Sequence, residues 1–233
     1  MKSYWSGEPE LRILKSLVNP NKNSIDVGAN NGVYTYFLSR LSSHVFAYEP
    51  NPNLAQFLEK LAFQNVTIFP VAVSDVGGTA TLSVPTDNES EIYQLGGKDK
   101  LGSLKGISGY KIKTFEVPVV RLDDQNHHDI GFIKIDVEGY EEFVISGASE
   151  ILSKQKPNLL VEIEQRHINK NISEIFSKII ALGYEGYFLL NRNLIPLDSF
   201  STEKYQKLEN LTAPSSLGVK YVCNFIFKPK VSV

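Results

Sequence analysis

The stretch that decides the fold is residues 23–32, Asn-Ser-Ile-Asp-Val-Gly-Ala-Asn-Asn-Gly. It predicts a short apolar strand that carries an acid, Asp26, near its end and then breaks into a Gly28-x-x-x-Gly32 turn. Glycines are expected there because the backbone must turn sharply and pass close to a ligand, where a Cβ would collide. An amphipathic helix follows, so the stretch predicts the first strand–turn–helix unit of a parallel α/β sheet.

A second acid follows the next predicted strand. That strand, residues 44–48, ends in Glu49-Pro50-Asn51-Pro52. In a βαβ unit, an acid about 20 residues after the glycine turn is placed to accept hydrogen bonds from both ribose hydroxyls of a nucleoside. Asp26, the glycine turn and Glu49 together predict a nucleoside pocket at the carboxyl edge of a parallel sheet.

The glycine turn also indicates which nucleoside the pocket would hold. Dinucleotide folds use G-x-G-x-x-G, but the three positions here are Gly28, Asn30 and Val33, so two of the three glycines are absent. Asp26 lies beside the turn, where it would repel a phosphate and favour a cation. S-adenosylmethionine has no phosphate and carries an ammonium and a sulfonium, so it is favoured over NAD. An NAD-linked oxidoreductase and a noncatalytic nucleoside-binding module are the alternatives.

Strands and helices alternate along most of the chain, which predicts a doubly wound parallel sheet. The main strands are predicted at 24–27, 44–48, 66–69, 132–136, 158–163, 184–190 and 221–227, with flanking strands at 79–84 and 115–120. The whole chain, 1–233, is expected to form one domain, with helices at about 8–17 and 140–152 among others. A Gly-, Ser- and Lys-rich insertion at about 86–114 is either a mobile loop or an active-site lid, and 191–220 is expected to be a surface connection.

Composition excludes several classes of protein. A net charge of −2 argues against a general nucleic-acid binder, which would usually show a basic face. The single cysteine, Cys223, excludes an intrachain disulfide framework. No run approaches ~18 apolar residues and residues 1–10 are polar, so neither a membrane span nor a secretion signal is predicted. The expectation is a cytoplasmic protein that acts on a small molecule, with no nucleic-acid or membrane partner.

The fourth main strand carries the other informative residues. Strand alternation places Lys134, Asp136 and Glu138 on one side of it. A central parallel strand is normally apolar on both faces, so three charges on one face need partners. The next strand ends in Glu162 and Glu164, and all of these residues are expected to cluster at the carboxyl edge, where open α/β sheets bind ligands.

Methyl transfer to oxygen or nitrogen needs a group that takes the proton of the acceptor. The candidate bases are Asp136, Glu138, Glu162 and His167, and Lys134, a salt-bridge partner for these acids, completes the predicted catalytic set. Several carboxylates together, Asp136, Glu138 and Glu162, could instead hold a hard cation such as Mg²⁺, which would lower the pKa of an acceptor hydroxyl. A metal is the less favoured alternative.

The histidines differ in position. His127 and His128 form a doublet before the fourth main strand, at its amino end, and a solvent-exposed turn is predicted for them. His44 begins the second strand at the same edge. His167 follows the fifth main strand on the ligand-binding side, so it is the histidine to test.

In their order along the chain, these motifs resemble the FkbM-type family of S-adenosylmethionine-dependent methyltransferases. The matching segments include Ile-Asp-Val-Gly-Ala-Asn-x-Gly at 25–32, Ala-Tyr-Glu-Pro-Asn-Pro at 47–52, Ala-Val-Ser at 72–74, Gly-Ser-Leu at 102–104 and Phe-Ile-Lys-Ile-Asp-Val-Glu-Gly at 132–139. The resemblance implies the seven-stranded methyltransferase fold with strand order 3-2-1-4-5-7-6 and an antiparallel seventh strand. Members mostly methylate hydroxyls of sugars, polyketides and other natural products.

The resemblance also implies roles for single residues. Residues 26–32 would hold the methionine part of the cofactor, Glu49 the ribose and Val73-Ser74 the adenine edge, while Asp136 and Glu138 would border the transferred methyl. The expected cofactor-binding set is Asp26, Gly28, Ala29, Asn30, Asn31, Gly32, Glu49, Pro50, Val73, Ser74 and Ser103. The sequence thus predicts an S-adenosylmethionine-dependent O-methyltransferase that acts on a hydroxyl of a sugar or small natural-product metabolite.

Overall fold

The computed structural model describes residues 9–61, 63–87, 90–91, 110–211 and 221–230. Within these ranges the strands are β1 Asn23–Val27, β2 Val45–Tyr48, β3 Val66–Phe69, β4 Ala72–Val73, β5 Gly78–Asp87, β6 Ser90–Glu91, β7 Tyr110–Val120, β8 Ile130–Ile135, β9 Asn158–Glu162, β10 Tyr184–Leu190, β11 Asn193–Pro196 and β12 Asn224–Pro229. The α-helices are α1 Leu14–Leu17, α2 Val33–Ser39, α3 Pro52–Lys60, α4 Glu141–Gly147, α5 Ser149–Lys154, α6 Ser173–Ala181 and α7 Thr202–Tyr205.

Eight strands form the main sheet in the order β11-β10-β12-β9-β8-β1-β2-β3. The pairs from β9 to β3 are parallel, whereas β12 is antiparallel to both β9 and β10. Without β11, this is the expected order 3-2-1-4-5-7-6, so the fold class is confirmed. β11 pairs with β10 as an antiparallel edge strand, in the segment 191–220 for which the sequence predicts only a surface connection.

The ends of β1, β2 and β8 meet at the carboxyl edge of this sheet. Val27 is in register with Tyr48 on one side and with Ile135 on the other. Gly28 N donates to the Tyr48 carbonyl oxygen at 2.9 Å, which extends the hydrogen bonding between β1 and β2 past the end of β1. Asp136 N donates to the Val27 carbonyl oxygen at 3.0 Å in the same way. The loops that follow the three strands therefore start side by side along one edge.

Apolar side chains cover both faces of the central strands, as expected for parallel strands between helices. Ile133 and Ile135 of β8 belong to the larger core cluster, together with Val144 of α4. Phe132 belongs to a second cluster, with Leu38 of α2. Because side chains alternate between the two faces, this packing fixes the orientation of β8 where it leads into the acidic residues.

A second sheet has the strand order β4-β7-β5-β6. β5 and β7 are antiparallel and stay paired from Gly78↔Val119 to Asp87↔Tyr110. They are the two predicted flanking strands, and each is longer than the sequence indicated. Of the lid-like insertion predicted at 86–114, residues 88–89 and 92–109 lie outside the described residues.

The prediction of a single leading helix at about 8–17 is wrong. Its described part is a 3-10 helix, Pro9–Arg12, followed by the single-turn α1. Leu14 and Leu17 are nevertheless buried, because a spacing of three residues keeps them on one face in either helix type. Within the described ranges, no helix combines the length and the apolar character needed to cross a bilayer.

The helix predicted at about 140–152 is in fact two helices, α4 and α5. Asp123, from the segment before β8, caps the start of α5. Its carboxylate accepts hydrogen bonds from the backbone N–H groups of Glu150 and Ile151, both at 3.0 Å. A side-chain cap satisfies N–H groups that a helix start leaves unpaired, so α5 begins as a separate helix. No pattern local to 140–152 reveals this cap.

The prediction of a solvent-exposed histidine doublet is wrong for His127, which is 8% exposed. Its Nε2 forms a hydrogen bond with Tyr48 Oη at 2.5 Å, and its ring stacks on Phe46 with the centroids 4.0 Å apart. Burial, with smaller contributions from His128 and His44, lowers the pKa of His127 to about 4. His127 is therefore a neutral core residue, whereas His128 is exposed as predicted.

Candidate active site

A cleft of about 410 Å³ opens at the carboxyl edge of the main sheet. Its volume is within the range of about 300–1,000 Å³ that is usual for small-molecule sites. The lining comes from the loops after β1, β2 and β8, from β4 with its following loop, and from β5 and β7. The predicted site residues that line it are Gly28, Asn30, Glu49, Pro50, Val73, Ser74, Asp136 and Glu138.

The glycine turn is packed against the end of β8. Gly28 has a φ of 78°, and a Cβ there would lie 1.9 Å from the carbonyl oxygen of Asp136. Gly32, with a φ of 82°, precedes α2, and a Cβ there would lie 2.5 Å from the Leu58 side chain of α3. Both positions thus require glycine, and the backbone of Gly28 forms part of the cleft wall.

Ser74 is fixed on another wall of the cleft by backbone contacts. Its N–H donates to the carbonyl oxygen of Val120 at 2.9 Å. Its own carbonyl oxygen faces Gly147 of α4, where a Cβ would lie at 2.1 Å. The helix can approach this closely only because Gly147 has no side chain.

Glu49 lines the cleft and is only 6% exposed. One carboxylate oxygen accepts a hydrogen bond from Asn30 N at 2.7 Å, and the other accepts one from Asn51 N at 2.8 Å. Burial raises the pKa of Glu49 to about 7, although the two N–H donors act in the opposite direction. Each oxygen has a second lone pair, so Glu49 is positioned to accept further hydrogen bonds from ligand hydroxyls.

The cleft has an acidic lining. Among its described lining residues the acidic side chains are Glu49, Asp136 and Glu138, and none is a lysine, arginine or histidine. A cleft lined by one sign of charge attracts a ligand of the opposite sign and repels one of the same sign. The cleft therefore suits a cationic ligand better than one that carries phosphates.

Lys134, 4% exposed, holds the carboxylate of Asp136. Its Nζ lies 2.8 Å from Asp136 Oδ2 and 4.8 Å from the centroid of the Tyr34 ring. Burial acts to lower the pKa of Lys134, but the charges of Asp136 and Asp26 outweigh this effect and raise it. The salt bridge expected for Lys134 is thus present, and it fixes a carboxylate that faces the cleft.

A cluster of charged residues follows β9. The Glu164 carboxylate accepts hydrogen bonds from Arg166 Nε at 2.6 Å, from Arg166 Nη2 at 2.8 Å and from Tyr221 Oη at 2.5 Å. Burial alone would raise the pKa of Glu164, but His167, Arg166 and Tyr221 together lower it far below its usual range. Glu164 is therefore ionised and held in one orientation.

Glu162, at the end of β9, has the opposite shift. Burial and, after it, the charge of Asp136 raise the pKa of Glu162 to about 9. The shift favours the protonated carboxyl group, whereas a general base must start without its proton. The role of Glu162 as a base stays a prediction.

His167 connects the cluster to the cleft. It is 8% exposed, and its Nε2 lies 3.3 Å from Glu138 Oε2 and 3.7 Å from Glu164 Oε1. Glu138 lines the cleft with a φ of 54°, a left-handed conformation that costs a non-glycine residue about 1–3 kcal/mol. Backbone strain of this kind concentrates at functional sites.

Other predicted residues do not line the cleft. Asp26 is fully buried, and its Oδ2 accepts a hydrogen bond from Thr35 Oγ1 at 2.6 Å, so it stabilises the turn from the core side. Lys134 and His167 contact lining residues, and Glu162 ends β9, the strand beside β8. The remaining positions of the turn, Ala29, Asn31 and Gly32, are not lining residues, and Ser103 lies outside the described part of the chain.

Sequence reasoning missed one wall of the cleft and one buried acid. Residues 79–84 of β5, with Val117 and Val119 of β7, line the side that faces the strand ends. Glu141, 2% exposed, accepts a hydrogen bond from Gly139 N at 2.9 Å, and burial raises its pKa to about 7. The strand pattern of the two flanking segments was a signal for the wall, whereas no local pattern distinguishes Glu141 from other acids in the first turn of a helix.

The strand order and the position of the cleft define a Rossmann-like methyltransferase fold. The family model for the methyltransferase FkbM domain matches residues 26–186. The chain therefore belongs to the FkbM methyltransferase domain family, which confirms the family predicted from the ordered motifs.

Two relatives illustrate the similarity. The 2-O-methyltransferase NoeI of Sinorhizobium fredii (strain NBRC 101917 / NGR234) is 27% identical over 161 residues, which cover 62% of this chain and 65% of NoeI. The crystal structure of Methyltransferase FkbM from Methylobacillus flagellatus KT aligns with a TM-score of 0.56 and 14% identity, over 90% of this chain and 44% of that one. The chain thus spans less than two thirds of either relative.

Proposed function

We propose that the protein transfers a methyl group from S-adenosylmethionine to a hydroxyl of a sugar or another small metabolite. The observation that carries the proposal is a cleft beside a glycine turn whose described charged residues are all acids, in a chain of the FkbM family. The relative named as a 2-O-methyltransferase supports oxygen as the acceptor atom. Family membership and the missing cationic side chains in the described lining both argue against the NAD-linked alternative.

The described residues fit this cofactor. Glu49 has lone pairs left for the ribose hydroxyls, and the Val73–Ser74 wall offers an apolar surface and a polar edge for adenine. Asp136 and Glu138 place negative charge where the sulfonium would lie. When bound, S-adenosylmethionine supplies an electrophilic methyl group: the acceptor oxygen bonds to its carbon as the carbon–sulfur bond breaks and sulfur keeps the electron pair.

Asp136 is the proposed proton acceptor. It lines the cleft, and the 2.8 Å contact with Lys134 holds its carboxylate in place. Alignment of acceptor and methyl group can contribute about 7–11 kcal/mol, and a positioned base adds about 10²–10⁴-fold. Lys134 acts through Asp136 and is a positioning residue.

A second cavity is the proposed acceptor pocket. It measures about 510 Å³, and Tyr221, which lines it, also donates the hydrogen bond to Glu164. The cavity therefore adjoins the charged cluster that reaches the cofactor cleft through His167. Its polar lining side chains are Glu10, Arg12, Asn191, Arg192, Tyr221 and Asn224. This mixture of donors and acceptors suits an acceptor with several hydroxyl groups.

Calorimetric titration with S-adenosylhomocysteine tests the cofactor. We expect saturable binding at one site, and Glu49→Ala should weaken it by about 1.5–3 kcal/mol through the lost charge-assisted hydrogen bonds. Glu59→Ala, at an exposed position of α3, is the matched control and should bind like the wild type. Asp136→Asn should retain binding but lose methyl transfer from labelled cofactor to an acceptor fraction.

Two outcomes would contradict the proposal. Absence of binding by the folded protein would reject the cofactor. Binding without methylation of any acceptor pool, including cell-extract glycans, would favour the noncatalytic nucleoside-binding module.

A further inference from the structure

Glu138, Glu164 and His167 meet at the junction of the cofactor cleft and the second cavity. Glu138 lines the cleft, and Glu164 contacts Tyr221, which lines the second cavity. The geometry points to a site for a divalent transition-metal ion, with His167 Nε2 and one oxygen each of Glu138 and Glu164 as ligands. This set differs from Asp136, Glu138 and Glu162, the metal ligands considered from the sequence.

The distances suit an ion. The three ligand atoms all lie within 4.8 Å of one another, and His167 Nε2 is 3.3 Å from Glu138 Oε2 and 3.7 Å from Glu164 Oε1. Two ligands that each bind at about 2.1 Å stand about 3.0–3.4 Å apart in octahedral or tetrahedral geometry. Small side-chain movements would therefore complete the site.

His167 gives the independent reason to expect a ligand here. The side chain is more than nine-tenths buried, and within the described structure its Nε2 makes no hydrogen bond of acceptable geometry. A buried nitrogen that lacks such a bond costs free energy unless something binds it. Nε2 lies within 3.7 Å of one oxygen of each carboxylate, which is the arrangement that a shared cation would require.

Neighbouring residues orient the proposed ligands. Arg166 and Tyr221 donate three hydrogen bonds to Glu164, and Glu164 Oε1 accepts only one of them, from Arg166 Nη2 at 2.8 Å. Because a carboxylate oxygen has two lone pairs, Oε1 can still bind an ion. Replacing a residue that holds a metal ligand in place usually lowers metal affinity by about 10–100-fold.

The ligand set indicates which ions fit. Two carboxylates and a neutral imidazole carry a charge of −2, and Arg166 offsets part of it, so a divalent ion is favoured over a trivalent one. Imidazole suits Mn²⁺, Fe²⁺, Co²⁺ or Zn²⁺ better than Mg²⁺, which prefers oxygen ligands and retains its waters.

The role of the ion in catalysis rests on the proposed function, whereas the site itself does not. A carboxylate, with a usual pKa of about 4, is a weak base towards an alcohol. An ion at the junction would bind the acceptor oxygen and lower the pKa of its hydroxyl, so that a carboxylate on the cleft wall could accept the proton.

Binding of Mn²⁺ to the untagged full chain, without cofactor, tests the site. The protein is first treated with a chelator, which is then removed, and Mn²⁺ is added. The electron paramagnetic resonance signal of free Mn²⁺ falls as ions bind, so it gives the number of bound ions per chain. Zn²⁺ is then titrated as a competitor. We expect about one ion per chain, with His167→Ala and Glu138→Gln each weakening binding by at least about tenfold. Tyr221→Phe keeps the ring but loses the hydrogen bond to Glu164, and it should weaken binding about tenfold.

His128→Ala is the matched control, since it removes an exposed histidine far from the junction, and it should bind Mn²⁺ like the wild type. The inference is overturned if folded protein binds neither Mn²⁺ nor Zn²⁺ at millimolar concentration, or if His128→Ala loses binding as His167→Ala does. Calorimetry with S-adenosylhomocysteine separates the two proposals. Cofactor binding without metal binding rejects only the metal site, and metal binding without cofactor binding rejects only the proposed function.

Discussion

His127 and His167 are equally buried, each 8% exposed, but their surroundings are opposite. His127 stacks on Phe46 at 4.0 Å and shares a hydrogen bond with Tyr48. His167 lies within 3.7 Å of carboxylate oxygens of Glu138 and Glu164.

The difference teaches that burial alone does not define the role of a histidine. Around His127, loss of water lowers the pKa and leaves a neutral ring that contributes packing. Around His167, the carboxylates of Glu138 and Glu164 place negative charge where a bound cation would be stabilised. The first environment stabilises the fold, and the second is suited to chemistry.

The largest expected effect is on methyl transfer. His167→Ala should lower turnover by about 10²–10⁴-fold, the usual contribution of assisted proton removal, because it removes a ligand of the ion that is proposed to lower the pKa of the acceptor hydroxyl. His127→Phe should leave turnover within a few-fold of the wild type. The measurement is labelled-methyl incorporation at saturating cofactor. Equal losses in the two variants would show that the contrast between the histidines is not functional.

The next effect is on stability. His127→Ala should reduce the free energy of unfolding by about 2–3 kcal/mol, since it leaves a cavity and removes the hydrogen-bond partner of a buried phenol. Tyr48→Phe should cost less, about 1 kcal/mol, because the aromatic packing survives. Urea unfolding followed by circular dichroism measures both. A His127→Ala protein as stable as the wild type would contradict the core role.

The smallest effect is on the pH dependence of stability. The pKa of His127 is about 4 in the folded protein, below its usual value of about 6.5, so the unfolded chain binds more protons between these values. Its contribution is therefore complete above pH 6.5 and is lost as the pH falls towards 4. Against the wild type, His127→Phe should show a shallower loss of stability across this window. Parallel curves for the two proteins would show that His127 does not titrate as described.

The sequence was most informative where one short segment carries both the fold and the site. Residues 23–32 hold a strand, its turn and a helix start, so steric arguments about glycine located the turn and one edge of the cleft. Lys134, Asp136 and Glu138 stand out because charges are rare in a central parallel strand. Glu49 could be placed by its distance along the chain from the turn.

The sequence was least informative where partners are distant along the chain. His127 was misjudged because its aromatic neighbours come from β2 and β3, which local spacing does not show. The break between α4 and α5 depends on a cap from Asp123. The bond between Tyr221 and Glu164 spans 57 positions, and only the antiparallel placement of β12 beside β9 brings the two together.

Two glycines, Gly28 in the cleft wall and Gly147 behind Ser74, limit how the site can diversify. At Gly28 and at Gly147, main chain meets main chain so closely that a Cβ would lie 1.9 Å and 2.1 Å from a carbonyl oxygen. At both places a cleft wall is held by contact between peptide groups, which no substitution can shorten. Changes among the surrounding side chains can alter what the walls offer a ligand but leave these two contacts in place. New acceptor preferences are then expected to arise in the second cavity, the proposed acceptor pocket, while the walls of the proposed cofactor cleft stay the same.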